Sequence, residues 1–170
     1  MEIDLVRLAG SVAYAALFLT AAAWDVWSRK IPNWTLLGLV ALFLTAQFMA
    51  WATPDWLSSL GAFGLVMLAG VPMFARRLVG AGDVKLMAVA ALFAGMENLL
   101  LLTVATAIAG GVLALVALVA RPYAAAFVLR GWVRTRAGVP YGVAIAAGAL
   151  QVGTASGLLA ISQRLTHLQL

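Results

Sequence analysis

Apolar runs separated by short polar breaks fill nearly the whole 170-residue chain. Because a helix needs about 20 apolar residues to cross a bilayer, each run reads as a candidate span. The runs lie at 8–24, 34–52, 56–75, 84–95, 99–120 and 141–162. Neither strand alternation nor an internal repeat interrupts them. The pattern predicts an all-α polytopic membrane protein of six transmembrane helices. Residues 1–170 form one transmembrane domain, with no room for a separate soluble one.

The polar breaks differ in sign. Arg29 and Lys30 follow the first run, Arg76 and Arg77 the third, and Arg121, Arg130, Arg134 and Arg136 the fifth. The opposite set of loops carries Asp55 and Glu97 with no Lys or Arg, and the termini add only Arg7 and Arg164. Cytoplasmic loops carry the excess of Lys and Arg, so both termini are predicted to be extracytoplasmic. Ala21-Ala22-Ala23 loosely resembles a signal-peptide cleavage site, but Glu2 and Asp4 precede the run where a signal peptide carries net positive charge. Cleavage is not expected.

The fourth run is too short to span. Twelve residues from Val84 to Gly95 make about 18 Å of helix, against a hydrocarbon core about 30 Å thick. Either this helix starts below the membrane surface, or it continues through Glu97 into the next run. Gly80 and Gly82 just before it predict a bent entry, and irregular backbone at that depth must line a cavity or pack on protein. A polar cleft open to the cytoplasm follows. Between the last two runs, Tyr123, Phe127, Arg130 and Arg134 fall at helical spacing around Trp132, predicting an interfacial segment on lipid headgroups.

Composition agrees. Hydrophobic residues make up 65% and charged ones 10%, against roughly a quarter charged in soluble domains. The net charge of +5 is explained by membrane topology, and no nucleic-acid partner is expected. With no Cys, and one His at position 167, thiol chemistry and multi-histidine or cysteine metal sites are excluded. No cofactor and no metal are expected.

Few residues are left to do chemistry. Of the 6 acidic side chains, Glu2, Asp4, Asp55 and Glu97 sit in tails or outer loops. Asp25, at the cytoplasmic end of the first run, and Asp83, opening the fourth, lie on the same side of the membrane. An ionisable group at membrane depth is a functional candidate by default. Two adjacent carboxylates share one proton: the ionised one takes a proton from water, which attacks a carbonyl, and the protonated one donates to its oxygen. The structural alternatives are a helix N-cap for Asp83 and an i,i+4 ion pair with Arg29 for Asp25.

Three motifs carry a resemblance that covers essentially the whole chain. Gly80-Ala81-Gly82-Asp83-Val84-Lys85-Leu86-Met87 resembles the GxGD motif of the type IV prepilin peptidases. Asp25-Val26-Trp27-Ser28-Arg29-Lys30-Ile31-Pro32-Asn33 resembles their first aspartate motif, and the stretch from Pro140-Tyr141-Gly142 resembles their last-span segment. The compact size matches the small peptidases of tight-adherence (Flp) pilus systems, the CpaA/TadV type.

The resemblance implies an aspartic endopeptidase of the bacterial inner membrane that removes the short basic leader of prepilins or pseudopilins after a Gly, at the cytoplasmic face. Asp25 and Asp83 would be its catalytic pair. Larger members carry an N-terminal domain, often with a four-Cys zinc site, and N-methylate the new pilin terminus; this sequence begins almost directly in its first run, which leaves methylation open.

Around the pair, Gly80 and Gly82 are expected to adopt positive φ and admit the substrate backbone. Lys85 either snorkels to the interface or acts on Asp83. Pro32 suits the first turn of the second span. Pro140-Tyr141 is expected to orient the last span, with the Tyr141 hydroxyl as a hydrogen-bond donor. Three other readings stand beside this one. A presenilin-like protease pairs GxGD with a Tyr-Asp motif, whereas Trp24 precedes Asp25 here. A proton-coupled transporter would use the same two acids as carriers, and a non-catalytic assembly subunit would tolerate their loss.

Overall fold

The computed structural model describes residues 2–49, 54–128 and 140–159, with side chains for 6–49, 54–120 and 140–159. The arginine-rich residues 129–139, His167 and Arg164 lie outside the described residues, as do the side chains of Arg121, Tyr123 and Phe127. The described residues are helical throughout apart from short connections: α1 (Glu2–Ser28), α2 (Asn33–Phe48), α3 (Trp56–Ala75), α4 (Ala81–Val128) and α5 (Tyr141–Ala155).

Prolines mark where helices start. Pro32 and Pro140 stand at the N-cap positions of α2 and α5 in extended conformation, and Pro54 immediately precedes the N-cap Asp55 of α3. A proline at a helix entrance sacrifices no helical hydrogen bond, since the first amides have no partner within the helix. Pro32 thus sits just before the first turn rather than in it, and its carbonyl accepts from the Thr35 backbone N–H (3.2 Å) and hydroxyl (2.7 Å).

Helix ends are closed by arginine where glycine is the common choice. After α3, Leu78 N–H bonds Met73 O and Arg77 N–H bonds Phe74 O, with Arg77 at φ 58°. This is the Schellman arrangement, in which a left-handed residue satisfies the last carbonyls. Arg29 does the corresponding job after α1, at φ 55°, donating to Asp25 O.

The fourth and fifth runs are joined in α4 but broken at Gly95, whose φ 61° and ψ −177° no other residue type adopts readily. Were the helix straight, Asp83 and Gly110 would stand about 40 Å apart at 1.5 Å per residue. Instead, residues of 81–94 and 96–128 line one cavity, so the chain folds back at the break. Segment 81–94 is the central element. Leu86, Ala88, Ala90, Ala91, Phe93 and Ala94 are fully or almost fully buried, as a helix apolar on all sides must be, and its alanines let neighbouring helices approach closely.

Around it, α5 packs on α4 and α1, α3 on α4, and α2 on α1 and α4. Edge-to-face rings fill the middle: Tyr14 lies 4.9 Å from both Phe18 and Phe93, and Phe43 lies 5.4 Å from Phe93. The buried Tyr14 hydroxyl donates to Ala149 O at 2.7 Å, so α1 and α5 are joined without an orphaned polar group. Three helical stretches are long and apolar enough to cross a membrane: Val6–Ser28, Trp56–Ala75 and Ala81–Ala120; Asn33–Phe48 and Tyr141–Ala155 are apolar but shorter.

Candidate active site

Asp25 and Asp83, 58 residues apart in sequence, line the same polar cavity of ≈ 340 Å³. Arg29, Lys30, Asn33, Gly80 and Lys85 complete its polar wall. Asp25 lies three residues from the end of α1 and is 6% exposed; Asp83, in the first turn of α4, is half-buried. The two carboxylates interact electrostatically, and the Arg29 charge acts on Asp83. Arg29 therefore serves the second aspartate across the cavity as well as closing the helix that carries the first.

Each carboxylate sits at a helix N-terminus. Asp83 accepts a hydrogen bond from the Gly80 backbone N–H, while Gly80 O accepts from Val84 N–H at 3.1 Å. This is the reach-back half of a capping box, made from the third helical residue. Asp83 does cap, therefore, although Gly80 and not Asp83 stands just outside the helix. Asp25 Oδ2 accepts from Gly142 N–H at 2.8 Å, at the start of α5. Two helix N-termini, each a partial positive charge, converge on a pair of acids.

The flanking residues divide between this cavity and a second one. Gly80, Gly82 and Lys85 line the polar cavity, and Lys85 is exposed beside both aspartates. The expected positive φ at Gly80 and Gly82 is absent; among described glycines it occurs at Gly95 and Gly157. Space is what these two positions need. A Cβ at Gly80 would lie 2.8 Å from Asp83 Oδ2, and one at Gly82 would lie 3.3 Å from Ile31 Cβ. Gly80 admits the carboxylate that bonds it, and Gly82 lets α4 approach the Ile31-Pro32-Asn33 turn.

Tyr141 faces the other way. Its ring packs near Gly110 and borders an apolar cavity of ≈ 560 Å³ together with Met73, Met87, Thr103 and Gly111. Asp83 lines this cavity too, so the apolar and polar spaces meet at one carboxylate. In the Pro-Tyr-Gly segment, the donor that reaches Asp25 is the Gly142 amide. Side-chain chemistry could not have pointed to it, since the donor is backbone and its acceptor lies 117 residues away. Among the described residues, no group of three or more His, Cys, Asp or Glu is assembled that could hold a metal ion.

A prepilin leader peptidase/N-methyltransferase of Bacillus subtilis (strain 168) is 29% identical over 142 residues, covering 82% of this chain and 53% of the relative. The chain thus spans about half the length of that curated protein. No solved structure matches. The sequence profile described as the Type IV leader peptidase family matches residues 12–115, a stretch that holds both aspartates and the glycines before the second. The chain belongs to the Type IV leader peptidase family.

Proposed function

We propose that this protein is a membrane-embedded aspartic endopeptidase that cuts the short basic leader from prepilins or pseudopilins, after a Gly, at the cytoplasmic face of the bacterial inner membrane. Asp25 and Asp83 are its catalytic pair. The observation that carries the reading is their meeting in one polar cavity, each carboxylate anchored on a helix N-terminus. Family membership supports the same reaction.

The chemistry follows from two adjacent acids sharing one proton. The ionised member removes a proton from water as its oxygen attacks the scissile carbonyl carbon. The protonated member donates to the carbonyl oxygen. Collapse of the tetrahedral intermediate breaks the C–N bond, and a proton passes to the leaving amine. Arg29 and Lys85, on the cavity wall, offset the negative charge of the acids. The apolar cavity that meets this site at Asp83 offers a surface for apolar residues beside the scissile bond. Tight-adherence (Flp) prepilins are the substrates to try first.

Co-expression with a tagged prepilin from the same genome tests the reading. Wild type should release the leader after a Gly, seen by gel shift and mass spectrometry, and Asp25→Asn and Asp83→Asn should not. Cleavage that survives either substitution removes the dyad. The same spectrum reports whether the new terminus is methylated.

A further inference from the structure

Pro140, at the N-cap of α5, supplies no side-chain cap; its carbonyl accepts from Val143 N–H at 3.2 Å, so the Gly142 amide must find its acceptor elsewhere. The acceptor comes from another helix. Gly142 N–H donates to Asp25 Oδ2 at 2.8 Å, and the bond is buried. Position 142 has no room for a side chain: a Cβ there would lie 2.9 Å from both Cβ and Oδ2 of Asp25, and 3.1 Å from Cγ. Since the Asp25 Cβ is fixed to its backbone, rotating the carboxylate alone does not relieve this contact.

We infer that Gly142 is a positioning residue for the reaction: lacking a side chain, it lets its backbone N–H close on Asp25, commits Oδ2 to that bond and leaves Oδ1 to face water and Asp83. The inference rests on reading Asp25 as a catalytic acid. A productive acid must be held within about 0.5 Å of its working geometry by groups that do no chemistry themselves. An added methyl group at 142 forces α5 away from α1, and that movement disturbs the 2.8 Å bond.

The test compares Gly142→Ala with Gly153→Ala in the purified full-length protein in lipid nanodiscs, cutting a prepilin substrate. Gly153 lies on the same helix, where a Cβ would meet Tyr14 of α1 at 2.9 Å, about 16 Å along the helix from Gly142. Both variants strain the α1–α5 contact, but only one touches Asp25. Gly142→Ala should lower kcat at least tenfold with KM within twofold, and should displace the pH–activity profile. Gly153→Ala should keep the wild-type profile and the wild-type kcat per folded molecule. Equal losses in the two, or an unchanged kcat and profile in Gly142→Ala, would overturn the inference.

Should Gly142→Ala fail to fold, hydrogen exchange decides. The Gly142 amide should be protected in wild type and lose that protection in Asp25→Ala while later α5 amides keep theirs. Equal exchange at Gly142 in the two proteins overturns the inference. Asp25→Asn and Asp83→Asn run alongside: cleavage by either discards the dyad itself, whatever Gly142→Ala does.

Discussion

The Met96 backbone N–H donates to Ser58 Oγ at 2.9 Å, across 38 residues, and the bond exists because α4 breaks at Gly95. The break turns that amide out of the helix toward α3. A Cβ at Gly95 would lie 2.5 Å from Pro54 Cβ and 2.8 Å from Ser58 Oγ. Gly95→Ala therefore meets both a left-handed backbone and two contacts too short to exist. It should destabilise by about 2 to 4 kcal/mol, the sum expected from backbone strain and overpacking. Chemical unfolding in detergent measures this; a loss within about 0.5 kcal/mol, the ordinary scatter of surface changes, would contradict the geometry.

Asp25 carries a structural duty that can be separated from its proposed chemical one. Asparagine keeps an acceptor for the Gly142 amide, whereas alanine leaves it bare. Both variants should be inactive, but Asp25→Asn should be more stable than Asp25→Ala by about 1 kcal/mol, as for a lost helix cap. Thermal unfolding of the two variants checks this difference.

The arginine that closes α3 offers a simpler test. Arg77 holds φ 58°, a conformation that costs an L-residue about 1 kcal/mol or more, so Arg77→Gly should raise stability by about that amount. Gly157 holds φ 73° after α5, and a Cβ there would meet nothing within 4 Å among the described residues. Gly157→Ala should thus lose about 1 kcal/mol through backbone strain alone. Opposite shifts in Tm are expected from the two.

The apolar cavity is open to probing from Gly111, where an added Cβ meets nothing within 4 Å among the described residues. Gly111→Leu fills the cavity from a helical position and should fold at least as well as wild type, since leucine is the better helix former. If apolar substrate residues sit there, KM should rise by roughly tenfold, the equivalent of about 1.4 kcal/mol of binding. Steady-state kinetics on a prepilin reads it. An unchanged KM would place the substrate elsewhere.

Much of this architecture was legible in the sequence because membrane crossing forces long apolar runs and rare charges. The starts of α2, α3 and α5 follow prolines that any reader sees. Asp25 and Asp83 stood out because ionisable groups at that depth are few, and the structure brings them to one cavity. Glycine was harder to interpret. At 80 and 82 it suggested unusual backbone angles, but the requirement there is room for neighbours; the positive-φ glycines among the described residues are Gly95, at the end of the fourth run, and Gly157. Arg29 and Arg77 gave no sign of positive φ, because charge near a helix end has a ready explanation in topology. Gly142 was visible only as part of a motif, since a backbone donor leaves no side-chain signature.

The interval that ends at Gly95 also ties the proposed active site to its solvent. Twelve residues from Val84 to the break reach about 18 Å, well short of a hydrocarbon core about 30 Å thick. Longer acyl chains would draw Asp83 further from bulk water, and shorter ones would bring the two closer, at a cost spread over tilt and local thinning. On the proposed function, acyl-chain length would then act on turnover as a regulator does. The same molecule should work at different rates in vesicles that differ in nothing but thickness.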